Sequence, residues 1–181
     1  FVIQESRVSD PIIRLSVFRD IDFTVLNLAN AVLNLVGFSV MLFVPFYLIQ
    51  FAGYPTTTGG LILAVAPMGV VLAGPLGGRL IGRVSAHRLA FIGIVIVVLA
   101  MMGFSTWRET PALATTISVL FLHGFGLGFY QVSYMHIVTG TLSRGDRGVA
   151  GSLALVTRST GVMLGATILS SIYSYTSAQA G

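Results

Sequence analysis

The sequence predicts an all-helical membrane protein whose chain crosses the bilayer five times. Three observations support this prediction. The 181 residues are 55% hydrophobic and only 9% charged, whereas a soluble domain averages about 25% charged residues. Five apolar stretches are each long enough to span a hydrocarbon core of about 30 Å. No stretch shows the ten-residue alternation that is typical of membrane β-barrels.

Short polar connections separate the five predicted spans. The spans cover roughly residues 24–51, 58–80, 89–107, 112–140 and 149–173. In lipid every backbone polar group must be satisfied within the protein, so spans of this length are expected to be helices. The first and fourth spans are long and are expected to tilt or protrude.

All ten basic residues are arginines, and their positions predict the orientation of the chain. One side of the membrane receives only Arg108. The other side receives Arg7, Arg14, Arg19, Arg79, Arg83, Arg88, Arg144 and Arg147. Because cytoplasmic connections carry an excess of basic residues, the N-terminus and the second and fourth connections are predicted to be cytoplasmic, in an inner (cell) membrane.

Residues 1–22 form a charged cytoplasmic lead-in before the membrane-spanning part, residues 23–181. Asp10 is suited to cap a helix and Pro11 to occupy its first position. The lead-in is therefore expected to be either a short helix on the inner membrane face or a plain linker. Because the chain begins with Phe1, we expect it to be part of a longer protein.

Several kinds of chemistry are excluded by the side chains of this sequence. It has no cysteine, which excludes disulfides, thiolate metal sites and cysteine nucleophiles. The glycines of GFGLG (124–128) lie inside an apolar stretch and do not follow a strand, so they are not a nucleotide loop. The arginines form no dense patch for nucleic acid. With no nucleophile–base set or metal cluster either, we expect no enzyme, no cofactor and no metal.

Two stretches offset by 92 residues are similar, which indicates an internal repeat. GGLILAVAPMGVVL (59–72) and GSLALVTRSTGVML (151–164) are identical at six of fourteen positions. They pair the second span, running inward, with the fifth, running outward. Three helices repeated with inverted topology are a common plan of secondary transporters. Two such units make a six-helix bundle, of which this chain contains five helices.

The first span carries three amides on one face. Asn27, Asn30 and Asn34 recur at helical spacing. Because amides that face lipid are expensive, we expect them to line a water-filled substrate cavity. The alternative is hydrogen bonding between helices.

The fourth span carries a second polar stripe. His123, Tyr130 and Tyr134 share a face, and Gln131 lies beside it. We expect these residues to line the same cavity. A buried histidine is more often a packing residue than a proton carrier, so packing is favoured for His123.

Arg158 lies in the middle of the fifth span, about 15 Å from Gly148 at the helical rise of 1.5 Å per residue. Insertion of a central arginine costs roughly 2.5–3.5 kcal/mol, so it should point toward a carboxylate, backbone carbonyls or water. The predicted spans contain no Asp or Glu. A carboxylate partner would therefore belong to a part of the longer protein that lies outside this chain. We expect Arg158 to act in coupling or at an interface between bundles; the alternative is a structural arginine held by carbonyls.

Glycines four residues apart recur in three spans. Such pairs let helix backbones approach closely. We expect helix packing, and not substrate contact, from Gly74 with Gly78, Gly124 with Gly128, and Gly161 with Gly165.

The stretch GVVLAGPLGGRLIGRVSAHRL (69–89) resembles the loop signature of the major facilitator superfamily. The resemblance implies an inner-gate loop. The matching residues are Gly78, Leu80, Arg83 and Arg88, whereas Gly82 stands where the family has an aspartate and Ser85 where it has a glycine. In the family that aspartate helps to latch the gate, and this loop lacks it.

Three longer stretches narrow the resemblance. SDPIIRLSVFRDIDFTVLNLAN, VPFYLIQFAGYPTTTGGLIL, and GFGLGFYQV with RGVAGSLALVTRSTGVMLGATI are similar to the C-terminal half of the fourteen-helix drug:proton antiporter branch (EmrB/QacA-type). This resemblance implies a major-facilitator-type helix bundle whose first and fourth helices line the central cavity. It also implies that an N-terminal bundle precedes this chain and that one last helix follows it.

The function that this resemblance implies is proton-coupled multidrug efflux by alternating access. The partners would be the lipid bilayer, protons, the N-terminal half and a small amphipathic or cationic substrate, without nucleic acid. Two alternatives remain open. One is a transporter of another solute, such as a metabolite, a peptide or a siderophore. The other is a non-transporting membrane protein that assembles through its glycine faces.

Overall fold

The computed structural model describes residues 21–107, 112–141 and 147–180. Every regular element within these ranges is a helix, which confirms the predicted fold class. The helices are α1 Ile21–Phe46, α2 Thr56–Leu63, α3 Val65–Ile81, α4 Ala86–Ser105, α5 Leu113–Thr141 and α6 Arg147–Ala180. The predicted cap at Asp10 and Pro11, and the connections with Arg108 and Arg144, lie outside the described residues.

Five helical segments are long and apolar enough to cross a membrane, as the sequence predicts. These spans are Ile21–Phe51, Thr56–Ile81, Ala86–Ser105, Leu113–Thr141 and Gly151–Ser171. Many of their large apolar side chains are exposed, among them Leu61 and Phe91 at 74% and 67%. An apolar surface of this kind requires lipid as its solvent.

The first span ends in a π-helical turn, Tyr47–Phe51. Pro45 lies just before this turn. Because proline has no N–H, it cannot bond the carbonyl four residues earlier, and regular α-helical bonding is interrupted there. Gly53 follows with a φ of 69°, a conformation that glycine adopts without strain.

The second span is divided between α2 and α3 at Ala64. The break is confined to this turn, because the Ala64 N–H donates to the Gly60 carbonyl and the Met68 N–H to the Ala64 carbonyl, each at 3.2 Å, so that Thr56–Ile81 remains the single span that the sequence predicts. The cause of the break is Pro67, whose missing N–H leaves the carbonyl of Leu63 without its α-helical donor. Pro75, by contrast, lies within α3 without ending it.

The contacts divide the chain into two compact units, which we call the terminal unit and the central unit. The terminal unit comprises Phe1–Gly37 with Met135–Gly181, and the central unit comprises Phe38–Tyr134. The central unit contains two buried apolar clusters. One is formed by Val44, Leu48, Ile62 and Leu120, and the other by Ala73, Leu89 and Phe129.

Close glycine contacts occur at equivalent positions of the two units, as the predicted repeat would require. In the central unit, Gly69 of the second span packs so closely on the fourth that an added Cβ would lie 2.6 Å from the Phe121 oxygen and 2.7 Å from the Phe125 nitrogen. In the terminal unit its repeat partner, Gly161, packs the fifth span against the backbone of Ala31 in the first. The residue offset by 92 from Ala31 is His123, midway between Phe121 and Phe125.

Candidate functional site

The amide face of the first span is largely buried within the terminal unit. Asn27 and Asn30 are 4% and 1% exposed, and Asn34 is half-buried. Asn27 Nδ2 donates to the Phe23 carbonyl, and Asn34 Nδ2 donates to the Asn30 carbonyl at 2.7 Å. Asn30 Nδ2 donates to Thr157 Oγ1 of the fifth span at 2.8 Å. For Asn30 the structure therefore favours interhelical bonding, which was the alternative to a cavity lining.

Thr157 belongs to this site, although it is not among the functional residues that the sequence predicts. Its hydroxyl donates to the Leu153 carbonyl at 3.0 Å while it accepts the bond from Asn30. Gly161, one turn later, brings the two helix backbones together at the same contact. The sequence feature that could have indicated this role is a threonine one helical turn before a glycine that packs two helices together.

Arg158 follows Thr157 directly, and its side chain is exposed in the described chain. Successive residues of an α-helix differ by about 100° in direction. The Asn30–Thr157 bond therefore holds the fifth span in a rotation that directs Arg158 away from that contact. Gly161 and Gly165 are both buried. The structure thus separates a packed glycine face from an exposed guanidinium within one apolar helix.

The polar stripe of the fourth span is buried within the central unit. His123, Tyr130 and Tyr134 are 3%, 0% and 1% exposed, and the two tyrosine rings stack with centroids 6.0 Å apart. Gly93 of the third span meets the backbone of Tyr130. These three side chains thus lie inside helix packing, which differs from the expected cavity lining. Gln131, beside them, is half-buried.

His123 is packed against an aromatic ring and not bonded through its Nδ1 atom. Its ring lies edge-on to Phe104, with centroids 6.1 Å apart. The buried Nδ1 atom has no hydrogen-bond partner among the described residues. This environment fits the packing role that the sequence favours for His123.

The glycines of GFGLG join three helices. Gly124 packs against the backbone of Ala66 in the second span, and a Cβ on Gly128 would lie 2.9 Å from the Val70 oxygen. Gly126 faces the third span, where a Cβ would lie 2.8 Å from the Gly93 oxygen. Gly124 and Gly128 thus contact the second span, and Gly126 between them contacts the third span. Gly74 and Gly78 have open space around them, so the described residues make no close approach there.

The arginine-rich connection between α3 and α4 is tight and exposed. Arg83 and Arg88 are exposed, as is Gly78. Two backbone N–H groups, those of Arg83 and Val84, donate to the Leu80 carbonyl at 2.8 and 2.7 Å. Ser85, which replaces the glycine of the resembled signature, caps α4 by accepting from the Arg88 N–H at 3.4 Å.

A comparison with protein families identifies the fold family. Residues 4–166 match the Major Facilitator Superfamily. Five apolar helices and this match together indicate a multi-pass membrane protein.

Individual relatives are similar at low identity over most of this chain. The multidrug transporter protein MdtP of Bacillus subtilis is 23% identical over 95% of the chain and 32% of its own length. The tetracenomycin C resistance and export protein of Streptomyces glaucescens is 25% identical over 93% of the chain and 31% of its length. The riboflavin transporter RibZ of Clostridioides difficile is 23% identical over 94% and 38%. The chain thus spans about a third of these relatives, whose names are those of transporters and not of enzymes.

Proposed function

The chain belongs to the Major Facilitator Superfamily, and on that premise we propose that it is the C-terminal half of a proton-coupled multidrug efflux transporter working by alternating access. We place it in the fourteen-helix drug:proton antiporter branch, in the inner membrane, with its N-terminus cytoplasmic. The names of two relatives, a multidrug transporter and a resistance and export protein, support drug export. The distribution of arginines supports the orientation.

One observation carries the mechanistic part of this proposal, namely the exposed Arg158 in the middle of an apolar span. A guanidinium at that depth is stable only beside water, an acceptor or an anion. We propose that it faces the transport path, where it biases the protonation of a carboxylate supplied by the N-terminal half. Asn34 and Gln131 are the partly accessible members of the two polar stripes. We propose that these two residues contact the substrate.

The inner-gate loop has a modified role in this scheme. Gly78, Arg83 and Arg88 occupy the matching positions, but Gly82 supplies no carboxylate. We propose that the arginines of this loop interact with acidic groups elsewhere on the cytoplasmic side, because the loop itself has none.

The test is efflux of a fluorescent lipophilic cation from proteoliposomes that contain the intact protein and carry an imposed proton gradient. Arg158→Ala should abolish gradient-driven efflux while substrate binding persists, and Arg158→Lys should retain part of it because the charge remains. Thr160→Ala is the control on the same helix, since Thr160 is exposed and donates only to the Val156 carbonyl of its own helix. Equal efflux by all variants would show that Arg158 is structural and would leave the family assignment untouched.

A second candidate is transport of a metabolite. It is favoured by the similarity to a protein named as a riboflavin transporter. Uptake and efflux of riboflavin by the same proteoliposomes separate the two candidates, since a drug exporter should move the lipophilic cation and not riboflavin.

A further inference from the structure

A groove of ≈ 440 Å³ lies on the surface of α4, where the third span begins. His87 and Arg88 line it in the first turn of the helix, and Phe91 and Ile92 line it one turn further along. Residues at this spacing share one face of a helix, and all four are exposed. The groove therefore offers a guanidinium and a ring N–H at the end of the span, with hydrocarbon directly beside them.

The positive charge at this end of the span has no counter-ion nearby in the sequence. Arg79 lies in the last turn of α3, Arg83 in the short connection and Arg88 in the first turn of α4, and all three are exposed. The chain has no Asp or Glu between residues 23 and 108. An anion that balances Arg88 must therefore come from a distant segment of the protein or from the bilayer.

The apolar part of the groove continues as a stripe along α4. Val95 and Leu99 follow Ile92 on the same face and are 39% and 56% exposed. Leu99 lies about 16 Å beyond Arg88 at the helical rise, which is close to one leaflet of a hydrocarbon core about 30 Å thick. An occupant of the whole face needs an anionic head joined to an apolar chain one leaflet long. A phospholipid has both, whereas an acidic loop or a free phosphate ion lacks the chain.

We propose that this groove is a binding site for an anionic phospholipid. The Arg88 guanidinium donates to the phosphate oxygens, which suit its planar fork, and a His87 ring N–H donates to the same headgroup. One acyl chain lies along Phe91 and Ile92. A zwitterionic lipid has the same phosphate, but its choline would add a cation to an end of the span that already carries three guanidiniums.

This inference names the acidic partner of one arginine of the proposed inner-gate loop. Only the leaflet in which the lipid lies rests on the proposed function, because it depends on the proposed orientation. The groove itself lies at the end of a span in either orientation.

A photoreactive residue within the groove can report which lipid occupies it. Phe91 is replaced by p-benzoylphenylalanine in the intact protein, which is placed in nanodiscs of equal amounts of phosphatidylglycerol and phosphatidylcholine with identical acyl chains. After irradiation, mass spectrometry measures the ratio of the two lipids attached to the protein. Phosphatidylglycerol should exceed phosphatidylcholine by roughly fivefold, the usual effect of one basic side chain on an anionic lipid. The same probe at Met102, exposed near the other end of α4, should attach both lipids equally.

Three arginine variants in the Phe91 probe background test the headgroup contact. Arg88→Gln should bring the ratio close to one, whereas Arg88→Lys should keep most of the preference because the charge remains. The start of α4 should persist in both, since Ser85 caps the backbone N–H of Arg88 and not its side chain. Arg79→Gln is the charge-matched control outside the groove lining and should keep the wild-type ratio. Unaltered thermal unfolding of each variant is confirmed first.

Four results would overturn the inference. A ratio near one at Phe91 would show ordinary bilayer contact, and an equal loss in Arg79→Gln and Arg88→Gln would show a general charge effect without a site. Attachment to a peptide from another part of the protein would identify a protein segment as the occupant. Loss of the preference in excess inorganic phosphate would identify a site for the free ion.

Efflux of the lipophilic cation, measured on the same preparations, separates this inference from the proposed function. A ratio near one in a protein that still exports the cation would refute the lipid site and leave the transporter proposal standing. An Arg88-dependent preference in a protein without transport activity would support the lipid site and contradict the transporter proposal.

Discussion

At the scale of single residues, the sequence correctly predicts that Asn30 faces away from lipid, but it predicts a water-filled cavity where the structure has Thr157. The spacing of Asn30 with Asn27 and Asn34 correctly indicates a protein-facing side of the first span. The partner could not be predicted, because the rotation of the fifth span decides whether Thr157 meets the amide or bonds only to its own helix. Threonine hydroxyls in helices often donate to the carbonyl one turn earlier. For this reason a threonine in the sequence does not by itself indicate a hydrogen bond to another helix.

The Asn30–Thr157 bond should appear as an energetic coupling. We expect a double-mutant cycle of Asn30→Ala and Thr157→Val to give a coupling of about 0.6 kcal/mol, the average between membrane helices, and of at most about 1.7 kcal/mol. The free energy of unfolding of the intact protein in mixed micelles measures it. Asn30→Ala with Thr160→Val is the control and should be additive, because Thr160 is exposed and donates to Val156 of its own helix.

At the scale of helices, the spans were predictable because a long apolar segment in lipid must satisfy its own backbone. The break within the second span was harder to predict from the sequence. Pro67 and Pro75 are both prolines in an apolar helix, yet only the first accompanies a break, at Ala64. Whether a proline interrupts its helix depends on the neighbouring helices, and a single sequence does not contain that information. The burial of Tyr130 was missed for the same reason.

The two equivalent glycines should be the least replaceable residues of their helices. Gly161→Ala should lower the free energy of unfolding by about 1–3 kcal/mol, because the new methyl group meets the backbone of Ala31 and forces the helices apart. Gly69→Ala should act in the same direction against Phe121. The measurement is thermal unfolding of the intact protein in detergent.

Gly151→Ala is the matched control on the same helix, since nothing lies within 4 Å of its added Cβ. There alanine should stabilise the helix by up to about 1 kcal/mol through its higher helix propensity. If Gly161→Ala proved as stable as Gly151→Ala, the close contact with Ala31 would not exist in the membrane.

At the scale of the whole molecule, the alternation of arginines predicts which side of the membrane each connection faces. The chain contains no cysteine, so single cysteines can report this directly. Thr57 and His87 are both exposed, at the starts of the second and third spans. In intact cells a membrane-impermeant maleimide should label Thr57→Cys and not His87→Cys.

Inverted vesicles should give the opposite labelling and so show that each cysteine is reactive. Labelling of both cysteines from the same side would contradict the predicted orientation. It would also remove the basis for calling the loop with Arg83 and Arg88 an inner gate.

The two glycine contacts that relate the repeats are alike in geometry but differ in how they would tolerate hydration. Positions offset by 92 residues from Asn30 and Thr157 are occupied by Leu122 and Val65, which offer neither an amide nor a hydroxyl. If the first and fifth spans separated, Asn30 and Thr157 could each exchange the other for a water molecule at little cost. The side chains at the equivalent positions of the second and fourth spans have no group that a water molecule could satisfy, and Leu122 is already 42% exposed. At these positions, therefore, one of the two equivalent helix pairs carries a hydrogen bond that water can replace, and the other does not.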